Sequence, residues 1–550
     1  MADILEFLAQ SSKGVARFAA LSASCLLIIA GCSKAGYDET RSGVLRVAIQ
    51  SDVQTLNPLL ISSATDVTIA NLMFEPLLAA NTRAVPVPML ATEVPSVSNG
   101  GISRDGLTIT YHLKPRAMWS DGVPVTSKDV KWSCEAILNP RNNVISRAVY
   151  DQVSSIETPN SKTVVVHLKR RYAPFVNSFF AESDTPYSVA PEHVLSRYGD
   201  INRVDFNDAP NVSDGPFTFV RWLHGDRLEF AANRSFFMGK PNLDRIVIHV
   251  IPDENTEINA LRTRNVDWIF QASESTYPKV RTIPNVLPRW VNNNGYEYVT
   301  LNTRSEYLSD VNVRRAIAYA IDKERLVHTL TFGQDEVALE DQPPFLWAFA
   351  KAAPGNEYNP QKAVKLLRQA GWAAGEDGMM RRRDNKLKLV LVTNASNATR
   401  RNASLEIQSM LARIGIDLEL KYYPGDILFA QAQRGGILEG GKFDLSLVGW
   451  SSGIDPDDSA QFACANVAPN GYNFSRYCNP EMERAQSEAL GTYDLAARRI
   501  AYAKIQTLLA RDVPAIFVWY TRQLEPAVST FKGFHPNPVS DSWNSWQWSR

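Results

Sequence analysis

Cys32 follows Ile29-Ala30-Gly31. Small residues ahead of a cysteine, behind an apolar run, are what a lipoprotein signal peptidase cleaves, and cleavage would leave Cys32 as an N-terminus acylated on sulfur and amine. Far downstream, Gly449-Trp450-Ser451-Ser452-Gly453 fits G-x-S-x-G, the spacing that presents a serine nucleophile in hydrolases. Asp455-Pro456-Asp457-Asp458 comes next. For Asp457 and Asp458 the reading is a solvated turn, because Asp and Pro favour turns for local backbone reasons. A nucleophile elbow needs a helix directly behind the serine, which Pro456 and the acidic turn oppose, and only His535 lies downstream to complete a serine, acid, histidine order. Hydrolysis is therefore kept only as the alternative of another class, and no enzyme is expected.

Of the other cysteines, Cys25 leaves with the signal and Cys134 sits in the helix-like KDVKWSCEAIL. Cys464 and Cys478 flank the turn-forming Pro469-Asn470-Gly471. Export to an oxidising compartment makes a Cys464–Cys478 disulfide the expected pairing, with Cys134 left as a thiol. The seven histidines are scattered without ligand spacing, so neither a metal nor another cofactor is expected.

The elements that must position these residues begin behind the signal. Lys13 and Arg17 form its positive region, and Phe18 to Ala30 are apolar but too few to span a bilayer as a helix. The chain beyond is longer than a single core usually holds. Lys plus Arg and Asp plus Glu balance at 58 each, so no net field draws nucleic acid or an acidic surface. Alternating apolar residues in Leu107–Leu113, in VVVHL at 164–168 and in IVIHVI at 246–251 predict strands, as does VLRVAIQ from Val44. Helical periodicity governs 310–328, 359–372 and the regions around 398–414 and 494–511. Strands early and mixed elements later imply an α/β (mixed α+β) body with separate lobes.

TLNPLL at 55–60, IANLMFEPLLA at 69–79, TYHLKPRAMWSDGVPVTSKDVKWS at 110–133, SDGPF at 213–217, the stretch 235–268, DVNVRRAIAYAIDKERLVH at 310–328 and DVPAIFVWY at 512–520 occur in one order. In that order they resemble the peptide/nickel class of extracytoplasmic solute-binding proteins that serve ABC importers. The resemblance implies a two-lobed periplasmic-binding-protein-like fold of type II. It divides the chain into a signal peptide (1–31), a tether (32–43), lobe one (44–295, with an inserted subdomain at about 78–210), lobe two (296–518) and a return to lobe one (519–550). The chain would cross near Tyr296 to Thr303 and return near Phe517 to Thr521.

It also implies a monomer, lipid-anchored in the cell envelope, that delivers a small peptide or similar polar solute to ABC permease subunits. Within the family, a metal chelate, an opine or an oligosaccharide is the alternative cargo. By the same resemblance the end of the FDLSLVGW strand lines the cleft, with Gly449, Trp450, Ser451 and Ser452 at the ligand and Trp450 as an apolar wall. Similar peptide binders carry, three residues after this Trp, an Asp that holds the ligand's ammonium; here that position is Gly453. Either Asp455 supplies the carboxylate instead or a free amino end is not held this way. Ser62 and Ser63 fall where the family places a facing, ligand-lining loop, and Tyr520, beside Trp519, falls at the return crossing, where it is expected at the ligand with the core as the alternative.

Cys32→Ser removes the only nucleophile suited to thioether lipidation at the processing site, so this variant is expected in the soluble fraction without labelled fatty acid. Continued membrane partitioning and acylation of the variant would show that the lipobox reading is wrong.

Overall fold

The computed structural model describes residues 39–181, 186–350 and 357–550; Cys32 and the signal segment lie outside them. Two long strands, Val286–Leu301 and Ala515–Val528, run antiparallel from Val286 opposite Val528 to Thr300 opposite Ala515. On one side the sheet continues through Trp268–Ile269, Val44–Ile49, Arg245–Val250, Arg227–Ala232 and Phe217–Leu223, and on the other through Leu445–Ser451, Lys388–Asn394 and Asp417–Tyr423. Val44–Ile49 is buried at every residue. It pairs in parallel with both neighbours, the position in which a continuous apolar run is expected.

Apolar packing divides this sheet. One core gathers residues from Leu45 to Val286 and resumes at Leu524, while the side chains of Tyr296 to Tyr520 fill two others. The division falls at Asn292-Asn293-Asn294-Gly295, where the long ladder slips register between Asn292 and Tyr296. Four residues without an apolar side chain cannot anchor in either core. Gly295 is required there for space, since a Cβ would stand 2.8 Å from Thr521 Oγ1 and 3.0 Å from Trp450 O. A separate sheet of Thr108–His112, Thr163–Leu168 and Val153–Asn160 is inserted in the first half and covered by the helix Ser127–Leu138. Thr126 and Asp129 close a capping box at the start of that helix.

The helix expected over 310–328 is two helices, Val311–Ala320 and Lys323–Leu330. Asp322 breaks it: its side chain accepts from the Arg325 N–H as an N-cap, and that geometry takes its own backbone out of the helix. Pro360–Gln369, Ala398–Ala412 and Leu495–Asp512 form where helical periodicity is read.

Cys464 and Cys478 are joined, with Cα atoms 4.7 Å apart. The bond closes a loop beside the helix Pro480–Gly491. Cys134 is free and buried, and burial raises its thiol pKa far above the usual range. Loop-closure entropy for a crosslink spanning 14 positions is worth roughly 3 kcal/mol. The double variant Cys464→Ser, Cys478→Ser is expected to lose about that much in denaturant unfolding, and non-reducing peptide maps are expected to leave Cys134 unpaired.

Candidate functional site

Between the lobes lies a cavity of ≈ 330 Å³, walled on one side by Tyr172, Pro174 and Ser178 and on the other by Trp450 to Gly453, Asp455 and Asp457. A second, of ≈ 270 Å³, shares Ser451 and Ser452 with it and adds Ser62, Ser63, Gln271 and Asn293. The structure thus brings Ser62, Ser63, Trp450, Ser451 and Ser452 to one cleft.

Each is held from behind. Ser63 caps the helix Ala64–Met73, and Asp66 accepts from the N–H groups of Ser62 (2.9 Å) and Ser63 (3.0 Å) and from Ser62 Oγ (2.9 Å). Trp450 stands edge-on to Tyr472, and its Nε1 donates to Ser452 Oγ at 3.0 Å. Ser452 N–H donates to Asn294 O (2.9 Å), and Asn294 Nδ2 donates to the carbonyls of Ser452 and Gly453. Asn294, at the register slip of the long ladder, therefore fixes the strand end that lines the cleft.

The 445–451 strand pairs along its length with Val286–Leu301. Its other edge pairs with Lys388–Asn394 only at Leu445, Ser446 and Leu447. Past Leu447 that edge has no strand partner among the described residues.

Gly449 does not line either cavity. A Cβ there would stand 2.5 Å from Arg400 Nη2 and 2.8 Å from Glu297 Oε1, so the glycine makes room for the two-pronged Arg400–Glu297 pair, with both bonds at 2.8 Å. Ser451 ends a strand, and irregular chain with a bend at Ile454 and Asp455 separates it from the short helix Ser459–Phe462. The strand-to-helix turn of a nucleophile elbow is not built.

Of the two readings left open at Gly453, the one with Asp455 as amine anchor meets a carboxylate that already has a charged partner. Its carboxylate lies 2.6 and 2.9 Å from two nitrogens of Arg498 and takes a third contact from Asn177 Nδ2 at 3.3 Å. A buried acid paired in this way is held as the counter-charge of its arginine. Tyr520 and Trp519 lie in the cores of lobe two, and Tyr520 OH donates to Gln342 O at 2.8 Å. A residue at a crossing strand faces either core or cleft according to sheet register, and here register turns both inward.

The solvated-turn reading of Asp457 and Asp458 is corrected as well. Asp458 is buried and takes a hydrogen bond from Gln486 Nε2 at 3.1 Å, and burial and the nearby Asp341 carboxylate push its pKa well up. Asp457 is half-buried at the cleft and accepts from Tyr172 OH at 2.9 Å, a bond between lobes across 285 positions of sequence. No local signal marks Tyr172, Asn293 or Arg498 as part of this site.

Two lobes joined by one pair of long strands, with a polar cleft between them, define a two-lobed solute-binding protein. The profile of the bacterial extracellular solute-binding proteins, family 5 (middle), matches residues 85–472, and the chain belongs to that family. It is 26% identical over 448 residues to the oligopeptide-binding protein AppA of Bacillus subtilis, covering 80% of this chain and 81% of AppA. Among solved structures, NikZ of Campylobacter jejuni in complex with Ni(L-His) superposes with a TM-score of 0.74 at 26% identity, over 93% of this chain and 100% of NikZ. CtaP of Listeria monocytogenes shares the fold with a TM-score of 0.80 at 23% identity, over 92% of this chain and 99% of CtaP.

Asp455→Asn leaves the Arg498 guanidinium buried without its counter-charge, which should cost about 3 to 5 kcal/mol in denaturant unfolding. If the variant instead keeps its stability and loses only ligand affinity, the carboxylate is not committed to Arg498.

Proposed function

We propose that this protein is the lipid-anchored solute receptor of an ABC importer, held to the membrane through Cys32, and that it binds an extended peptide between its lobes as a monomer. The unpaired edge of the 445–451 strand past Leu447 supports this most directly. A peptide laid there completes the ladder with its own backbone and gains affinity without its side chains being read. Trp450 supplies an apolar wall, Ser451 and Ser452 supply polar contacts, and Ser62 and Ser63 face them from lobe one. A ligand that touches both walls favours the closed arrangement, and that differential affinity is the signal for a permease to read. The likeness to the oligopeptide-binding protein AppA agrees with a peptide.

Asp457 takes the part first expected of Asp455. Its carboxylate opens on the larger cavity, and an ammonium there would exchange water for a charge-assisted hydrogen bond. A second reading, a metal chelate, is favoured by the comparable likeness to NikZ with its Ni(L-His) and by Gly453 standing where peptide binders have an acid.

Calorimetry with one peptide in free and N-acetylated forms separates these readings. The free form is expected to bind at least about tenfold more tightly, the worth of a charge-assisted bond of about 1.5 to 3 kcal/mol, and Asp457→Asn to erase the difference. Equal binding of the two forms removes the amine contact. Binding of Ni-histidine without binding of any peptide establishes the second reading.

A further inference from the structure

A third cavity, of ≈ 290 Å³, lies at the junction of the lobes, lined by Thr82, Arg289, Trp290, Asn292, Arg522 and Pro538 among others. Pro538 also lines the serine-rich cavity, so the two are neighbours. Both arginines are half-buried, and neither has a carboxylate within 4.0 Å among the described residues. Their positions are fixed by neutral acceptors. Arg289 Nη2 donates to Phe531 O at 2.7 Å, and its guanidinium lies 5.5 and 5.4 Å from the ring centres of Phe531 and Phe534. Arg522 donates through Nη1 to Gln334 O (3.1 Å) and through Nη2 to Trp290 O (3.2 Å).

What remains is unused. Arg289 Nη1, Arg522 Nε and the Trp290 indole N–H are buried without a hydrogen-bond partner. A buried charged donor left unmade is costly, and arginine is seldom buried without an anion. The nearest acid of note is Asp335, whose carboxylate accepts from the Arg522 backbone N–H at 2.9 Å. Burial, together with the Glu274 carboxylate, raises the Asp335 pKa to about 8, so around neutral pH it is mostly protonated and offers Arg522 little counter-charge. Glu274 and Glu297 are the other acids near this junction, and Glu297 is committed to Arg400.

We propose that this third cavity is an anion-binding subsite in which Arg289 and Arg522 hold a carboxylate or phosphate group carried by the solute. The inference rests on the solute-receptor reading and adds a polarity to it. The neighbouring cavities offer a carboxylate at Asp457 and two guanidiniums at Arg289 and Arg522, and so suit a solute with opposite charges at its two ends. Arginine presents its N–H groups as a planar fork that matches two oxygens of such a group.

The test uses the full chain and one peptide as free acid and as C-terminal amide, titrated calorimetrically into wild type, Arg289→Gln, Arg522→Gln and the charge-keeping Arg289→Lys, with melting curves to confirm folding. Wild type is expected to prefer the acid by about tenfold or more, each Gln variant to lose that preference while binding the amide as before, and Arg289→Lys to recover part of it. Inorganic phosphate is expected to compete with the acid alone. Equal binding of acid and amide by wild type overturns the proposal, as does an equal loss for both peptides in the Gln variants. If phosphate binds and Arg289→Gln abolishes it while acid and amide do not differ, the site takes free anions and the solute-borne group is refuted. Should no peptide bind, the peptide reading fails by itself. Phosphate then tests the arginines directly: a rise in wild-type melting temperature that Arg289→Gln removes supports the subsite, and no rise overturns it.

Discussion

Val286–Leu301 and Ala515–Val528 are each long enough to belong to two cores, and their pairing is what holds the two halves of the sheet in one molecule. A ladder of this length would be stiff if its register were continuous. The slip between Asn292 and Tyr296, opposite Tyr520 to Arg522, removes regular pairing where the apolar side chains change allegiance. The chain is thus covalently and hydrogen-bond continuous across a place where packing is not, the condition for two bodies to move about a short hinge.

The same segment builds the cleft wall. Asn294 bonds to both sides of the Ser452 peptide and to Gly453 O, so the strand end carrying Trp450 to Ser452 is registered against the hinge. Behind that wall two buried ion pairs are closed, Glu297 with Arg400 and Asp455 with Arg498. A buried pair adds little net stability over an apolar substitute, but breaking it is expensive. Such pairs restrict where the wall can sit. Contacts between lobes include the hydrogen bonds of Tyr172 to Asp457, Asn177 to Asp455 and Tyr493 to the Gly106 carbonyl, with a small apolar cluster of Ala80, Ala84, Leu346 and Ile454. Contacts of this kind are easily exchanged for contacts with a ligand.

The cavities differ in what they leave unsatisfied. Near Trp450 the open valences belong to the backbone edge; at Arg289 and Arg522 they are buried N–H groups. Unmade bonds at a cavity wall are affinity held in reserve, because a ligand that makes them recovers the desolvation already suffered by the protein.

Much of this molecule is legible without coordinates. Alternating patterns locate the strands around 108–112, 163–168 and 245–250, turn-forming residues between Cys464 and Cys478 announce their pairing, and the ordered motifs from TLNPLL to DVPAIFVWY point to the family. These are determined by neighbours within a few positions, where backbone preference and side-chain period act. What only the tertiary structure decided is the partner of each charge. Asp455 meets Arg498 from 43 positions away, Asp457 meets Tyr172 from 285, and Arg289 and Arg522 reach one cavity from strands that pair only in the folded sheet. An acidic turn has the same local sequence whether it faces water, an arginine or a ligand. Which of these it faces depends on where distant chain crosses, and no period in the sequence records that.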